Sequence, residues 1–156
     1  MPGSVTSVFS EAEDFEAALH EESVLGLLIT GIGQFRARLT QVALHRLRLA
    51  AGDEQLSWIA FVAVPANIVV VSSPIGDRAA LIWGGVEMRA GEMIILGPGQ
   101  RIHAQTDRPC RWGVMRLPGE DLARYGRALS GTEFVVPRAP HDGDPRPRPG
   151  GISATS

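Results

Sequence analysis

Between Val24 and Leu117 the chain is a succession of short apolar runs, rich in β-branched and aromatic residues and separated by glycine- and proline-containing turns. Runs of this kind predict β-strands, and turns every 8–12 residues or so indicate a sandwich or barrel. The clearest runs are LSWIAFVAV (56–64), IVVVSS (68–73), EMIIL (92–96), RIHAQ (101–105) and RWGVMRL (111–117). The glycines at 84 and 85 supply the positive φ angles of a primed hairpin turn. We therefore predict roughly eight or nine short antiparallel strands.

A longer alternation covers residues 35–49 and predicts one long strand with two different faces. One face carries mainly apolar residues and includes Gln41 and His45. The other carries Arg36, Arg38, Arg46 and Arg48. We expect the first face to be buried, which would place His45 inside the barrel, and the arginine-rich face to be solvated.

Two helices are predicted, one before the strands and one after them. Residues 11–22 are acidic and follow Ser10, which forms an S-x-x-E capping box with Glu13. Residues 119–130 begin after a proline and end before Gly131. Their apolar stripe consists of Leu122, Tyr125 and Leu129.

The composition predicts a single domain with flexible ends. The chain has 156 residues, of which 44% are hydrophobic, so it can form a core. We expect a flexible N-terminus at 1–7, an ordered domain at 8–135 and a disordered Pro/Gly-rich tail at 136–156.

Charge and cysteine content exclude several classes of function. All fifteen basic residues are arginine, so lysine Schiff-base chemistry is ruled out, and the net charge of −2 gives no general attraction to nucleic acid. A single cysteine, Cys110, excludes an intramolecular disulfide. No apolar stretch is long enough to span a membrane and no secretory signal is recognisable, so we expect a cytoplasmic protein.

The segment GEMIILGPGQRIHAQ (91–105) resembles the second sequence motif of the cupins, a jelly-roll superfamily. In that motif a strand that begins with glycine leads through a Pro-x-Gly turn to a metal-binding histidine, here His103. The first cupin motif, His-x-His with a following Glu, has no counterpart, since Leu47 stands where a second histidine would follow His45. A catalytic zinc needs at least three protein ligands, so we predict no metal and no other cofactor.

A wider resemblance links the chain to AraC-type transcription regulators. The strings GQFRARLTQVALHRLRL (33–49) and WGGVEMRAGEMIILGPGQRIHAQTDRPCRWGVMRLPGEDLARYGRALSG (83–131) resemble the N-terminal domain of these proteins. The resemblance implies a mainly β, cupin-like antiparallel jelly-roll barrel with a short N-terminal helix and a C-terminal helix. It also implies a module that senses a small molecule or mediates dimerisation. The two helix-turn-helix motifs of the family are absent from this sequence, so we expect no direct nucleic-acid binding.

The candidate ligand-binding residues are the side chains that would line such a barrel, and none is assigned a catalytic role. They are His45, Trp58, Trp83, His103 and Trp112. An aromatic lining with few polar groups suits an unknown small organic ligand. The alternative is a small stand-alone cupin enzyme, an isomerase or dioxygenase. A weak homodimer through the stripe of Leu122, Tyr125 and Leu129 is a further expectation.

Overall fold

The structure, a computed structural model, describes residues 3–76, 81–130 and 151–153 of the chain. These residues form strands and helices in an order close to that predicted. The strands are β1 (Gly3–Phe9), β2 (Val24–Ile29), β3 (Ala37–Leu44), β4 (Leu47–Glu54), β5 (Trp58–Ala63), β6 (Ile68–Pro74), β7 (Leu81–Trp83), β8 (Val86–Glu87), β9 (Glu92–Leu96), β10 (Arg101–Thr106), β11 (Cys110–Pro118) and β12 (Gly151–Ser153). The helices are α1 (Ala12–Leu19), a 3₁₀ turn (His20–Glu22) and α2 (Gly119–Ser130).

The strands form two antiparallel sheets. The larger has the order β1-β3-β4-β11-β6-β9-β12 and the smaller β2-β5-β10-β7-β8. The mainly β prediction is therefore confirmed, although the described strands form two separate sheets and not a closed barrel. The predicted hairpin is also confirmed: β7 pairs with β8, and Gly84 and Gly85 have φ angles of 55° and 84°.

The hydrophobic core lies between the inner faces of the two sheets. Helix α1 closes one side of it, because its buried side chains, Phe15 and Leu19, belong to the core cluster. The ring of Phe15 also packs against Phe9 and Phe35, with ring centroids 5.4 and 5.8 Å apart. The acidic N-terminal helix thus covers one side of the core. Its N-cap is Glu11 and not the predicted Ser10.

The predicted long strand at 35–49 is wrong, because the chain turns back at His45 and Arg46. Strands β3 and β4 form a hairpin in which Leu44 faces Leu47. His45 has a φ of 42° and lies exposed at the tip of the turn. A two-residue turn reverses the alternation of faces, so even-numbered residues of β4, such as Ala50 and Glu54, are the buried ones. The prediction that His45 lies inside the barrel fails for this reason.

Both chain ends differ from the prediction where the structure describes them. Residues 3–7, predicted to belong to a flexible N-terminus at 1–7, are part of β1, which pairs with β3 along its whole length. Val5 and Val8 are three residues apart, so this segment lacks the period of two that predicts a strand. In the predicted tail, Gly151–Ser153 pairs with β9, and residues 136–150 and 154–156 lie outside the described residues.

Candidate functional site

A cavity lies between the two sheets at the centre of the domain. Its free space is about 40 Å³, taken as the volume open to the centre of a water molecule. That is room for about three waters or a ligand of a few heavy atoms. The lining is formed by Leu19, Glu22, Val24, Leu27, Glu54, Trp58, Ala60, Val62, Val70, Ser72, Leu81, Trp83, Ala104, Trp112 and Val114.

A buried carboxylate, Glu54, is the most unusual group in this lining. Its side chain is on the inner face of β4 and is 1% exposed. Trp112 donates from its indole Nε1 to Glu54 Oε1 at 2.7 Å, and Trp58 donates from Nε1 to Glu54 Oε2 at 3.0 Å. Trp112 belongs to the same sheet as Glu54 and Trp58 to the other. One side chain therefore connects the two sheets through hydrogen bonds.

The environment of Glu54 raises the pKa of its carboxyl into the neutral range. Burial raises the pKa of this carboxyl from 4.5 to about 7, because an ionised carboxylate loses its hydration inside the core. The hydrogen bonds from Trp112 and Trp58 oppose this change, and the nearby charge of Asp53 adds to it. Glu54 is thus a group whose charge changes within the physiological range.

A glycine makes room for one of the two indoles. Gly52 lies directly opposite Trp112 in the pairing of β4 and β11. A Cβ atom placed on Gly52 would lie 2.2 Å from two ring carbons of Trp112. The absence of a side chain at Gly52 therefore allows the indole to lie against the strand and reach Glu54.

Three further polar atoms of the lining are buried and have no hydrogen-bond partner in the described part of the chain. They are Trp83 Nε1, Ser72 Oγ and Glu22 Oε2. The three residues are 5%, 2% and 4% exposed. Buried polar groups without partners are uncommon and costly in folded proteins, and they mark places where a ligand or ordered water belongs. All three residues belong to the lining of one cavity, which distinguishes it from ordinary core packing.

Glu22 connects the cavity to a polar cluster at its edge. Its other oxygen, Oε1, accepts a hydrogen bond from Gln41 Nε2 at 3.0 Å and lies 3.7 Å from Arg48 Nη2. Arg116 donates from Nη1 to the backbone oxygen of Glu21, which precedes Glu22 in the 3₁₀ turn. The carboxylate of Glu22 is therefore held in place on one side while its second oxygen stays available.

The structure brings together only part of the predicted site. Trp58, Trp83 and Trp112 all line the cavity. His45 and His103 do not: His45 lies at the exposed hairpin tip, and His103 lies exposed on the outer face of β10. There its ring contacts that of Phe61 with centroids 4.5 Å apart. The inward positions of β10 are Ala104 and Thr106. His103 has the opposite parity and so faces outward, contrary to the prediction.

Sequence reasoning missed the polar residues of the lining: Glu22, Glu54 and Ser72. Glu54 shares its parity with Ala50 and Gly52, so a correct boundary for β4 would have placed it on the buried face. Glu22 was assigned only to the acidic helix, and nothing in its local sequence distinguishes it from Glu21. The signal for Ser72 was its position directly after the valines at 69–71, with the same parity as the buried Val70.

Three further features concern metal binding, thiol reactivity and membrane insertion. In residues 3–76, 81–130 and 151–153, no three His, Cys, Asp or Glu side chains are close enough together to hold a metal ion. Cys110 is buried beside the cavity, and burial raises the pKa of its thiol to about 12, with further contributions from Glu54 and Asp53. No helix of the described chain combines the length and apolar character needed to cross a bilayer.

Comparison with known proteins shows the fold. No protein-family model matches the sequence, and no curated protein sequence matches it. Among solved structures, the chain is similar to the AraC-like transcriptional activator CuxR, with a TM-score of 0.60 and 16% identity over 83% of this chain. It spans 52% of the length of that protein.

Weaker similarities include an oxalate decarboxylase and the EutQ protein of Clostridium difficile. The first has a TM-score of 0.46 and 12% identity and covers 97% of this chain and 50% of the decarboxylase chain. The second has a TM-score of 0.39 and 15% identity and covers 54% of this chain and 64% of the EutQ chain. The similarity to CuxR therefore supports the fold, and function has to be argued from the cavity.

Proposed function

We propose that this chain is the small-molecule-sensing module of an AraC-type, cupin-like regulator and that its ligand occupies the cavity between the sheets. The observation that carries the proposal is the cavity itself. Its lining includes three indoles, Glu54 and three residues with a buried polar atom that has no hydrogen-bond partner among the described residues. The fold shared with the AraC-like activator CuxR supports a regulatory role.

The position of the cavity suits a sensor. Leu19 and Glu22, from the N-terminal helix and its 3₁₀ turn, form part of the lining. Glu21 and Glu22 in turn contact Arg48 of β4. A ligand that contacts Glu22 therefore acts on the N-terminal segment and on the larger sheet at once, which is what coupling between a binding site and a distant surface requires.

The proposal is tested by a thermal-shift screen of small amines, alcohols, sugars, organic acids and aromatics. A ligand present at about 100 times its Kd stabilises the protein by about 2.7 kcal/mol. Ser72→Val, which fills part of the cavity, should abolish this stabilisation. Ser73→Val is the matched control, since Ser73 lies on the opposite face of the same strand and borders an outer groove.

Two outcomes would contradict the sensing role. If no compound stabilises the wild type, or if Ser72→Val responds as strongly as Ser73→Val, the cavity is not the binding site. Chemical conversion of a stabilising compound, followed by mass spectrometry, would instead support the alternative of a small cupin enzyme.

Dimerisation through α2 is the second part of the proposal. Leu122 is half-buried in the structure, and the side chains of Tyr125 and Leu129 lie outside the described residues. One short helix pair buries less than a standard interface of about 1,600 Å², so we expect a weak dimer in the micromolar range. Sedimentation should show a concentration-dependent dimer that Leu129→Asp dissociates. A strict monomer up to about 100 micromolar would refute it.

A further inference from the structure

The chemistry of the cavity lining restricts the class of ligand. This inference rests on the proposed function, that a small molecule occupies the cavity. The ionisable groups of the lining, among the described residues, are two carboxylic acids, Glu54 and Glu22, and neither arginine nor histidine contributes to it. An organic anion would be repelled there, whereas a cation would gain charge-assisted hydrogen bonds to oxygens already fixed in position.

The two carboxylates differ in their hydrogen-bond partners, and both can accept further hydrogen bonds. Glu22 Oε2 is buried and has no partner in the part of the chain that the structure describes, while Glu22 Oε1 accepts a hydrogen bond from Gln41. Each oxygen of Glu54 accepts one indole N–H, which leaves a further lone pair on each. A group with several N–H donors can therefore satisfy acceptors on both sides of the cavity.

The remaining unpartnered atoms require an oxygen on the same ligand. The indole Nε1 of Trp83 can only donate, so it needs an acceptor that the described chain does not supply. The hydroxyl of Ser72 can accept or donate. A hydroxyl group satisfies both. The carbon atoms between the two polar ends would contact the indole rings, whose faces also attract an ammonium group.

We propose that the cavity binds a small amino alcohol, with its ammonium group between Glu54 and Glu22 and its hydroxyl group between Trp83 and Ser72. The free volume of about 40 Å³ limits the ligand to a few heavy atoms, which excludes larger cations and sugars from the cavity as it stands. Binding should also depend on pH, because the ammonium group favours the ionised form of Glu54 and the pKa of Glu54 is about 7.

The test uses four matched probes and isothermal titration calorimetry on the full chain. They are 3-aminopropan-1-ol, propylamine without the hydroxyl, 1,3-propanediol without the charge and 3-hydroxypropionate with the opposite charge. The amino alcohol should bind most tightly, with a loss of about tenfold or more for the diol, as for the removal of a hydrogen bond to a charged group. Equal or tighter binding of the diol or of the anion overturns the proposal while leaving a sensing role intact.

Two variants assign the contacts. Glu22→Gln keeps the shape of the side chain, removes its charge and should weaken the amino alcohol by about tenfold without changing the affinity for the diol. Glu21→Gln is the matched control, because Glu21 is the adjacent, exposed carboxylate of the same 3₁₀ turn. If both variants bind alike, Glu22 does not hold the ligand and the assignment is wrong.

Trp83→Phe tests the hydroxyl contact separately. It removes the unpartnered indole N–H, so the advantage of 3-aminopropan-1-ol over propylamine should disappear. An advantage that persists unchanged places the hydroxyl elsewhere and contradicts the proposed orientation.

The pH dependence gives an independent readout. The titratable groups around Glu54 are Asp53 on its own strand, Cys110 on β11 and Glu22 on the cavity wall. None of them is basic. Affinity for the amino alcohol should therefore rise about tenfold between about pH 6 and about pH 8, while the affinity for the diol does not rise. A flat profile for the amino alcohol would show that its charge does not meet Glu54.

Discussion

Replacing the buried carboxylate at the centre of the domain should change how stability depends on pH. In the folded protein the pKa of Glu54 is about 7, against an ordinary value of 4.5. The folded state therefore holds this proton more tightly than the unfolded state, and stability falls as pH rises from about 4.5 to about 7. The difference of 2.5 pKa units corresponds to a loss on the order of 3 kcal/mol. That is a large part of the 5–15 kcal/mol or so typical of a domain.

The perturbation is Glu54→Gln, which removes the titration but keeps the size of the side chain. The glutamine places an NH₂ group opposite one of the two indole N–H donors, so the variant also loses a constant amount of stability at every pH. Urea unfolding, followed by tryptophan fluorescence from about pH 4.5 to about pH 8, separates the two effects. The gap between wild type and variant should narrow as pH rises, because only the wild type loses stability through Glu54.

Glu21→Gln removes one exposed negative charge and accounts for the change in net charge. If the stabilities of wild type and Glu54→Gln remain separated by a constant amount across the whole pH range, the carboxylate is not held in a low-dielectric environment, and the reasoning about its pKa fails.

Three more predictions concern the neighbours of the cavity and the hairpin tip. Gly52→Ala should destabilise the protein by about 1–3 kcal/mol and shift the emission of Trp112, since the added methyl overlaps the indole; an unchanged spectrum and melting temperature would contradict this. Cys110, whose pKa is raised to about 12, should resist thiol reagents in the folded protein and react in urea, and rapid labelling without urea would disprove its burial. Arg46→Ala should lower the thermal midpoint, because Asp121, buried 2.7 Å from the guanidinium Nε, would lose its cation; an unchanged midpoint would show that the pair does not hold α2 to the hairpin.

The strands that the sequence predicted well are those with the most strongly apolar composition. Strands β5, β6 and β9 are nearly continuous apolar runs bounded by glycine, proline or polar turns, so their composition identifies them. The β3–β4 hairpin was missed because its turn, His45-Arg46, contains none of the residues that commonly signal a turn. Because the turn was missed, the residues of β4 within the predicted strand, 47–49, were assigned to the wrong faces.

The sequence predicted the aromatic residues of the candidate site but not its carboxylates. Large aromatic residues in central strands point inward more often than not, so Trp58, Trp83 and Trp112 were found from composition and position. Glu54 and Glu22 were not, because a carboxylate in a sequence is normally taken to lie on the surface. Their burial depends on partners contributed by distant segments, such as Trp112 and Gln41, and a single sequence does not reveal those pairings.

The two indole contacts of Glu54 also bear on the order in which the domain folds. Trp58 follows Glu54 by 4 residues in the chain, whereas Trp112 lies 58 residues away. Closing the short loop costs far less chain entropy than closing the long one. The corner that joins β4 to β5, and with it the first contact between the sheets, should therefore belong to the folding nucleus. Trp112 should reach the carboxylate after the rate-limiting step, so its substitution would accelerate unfolding more than it slows folding.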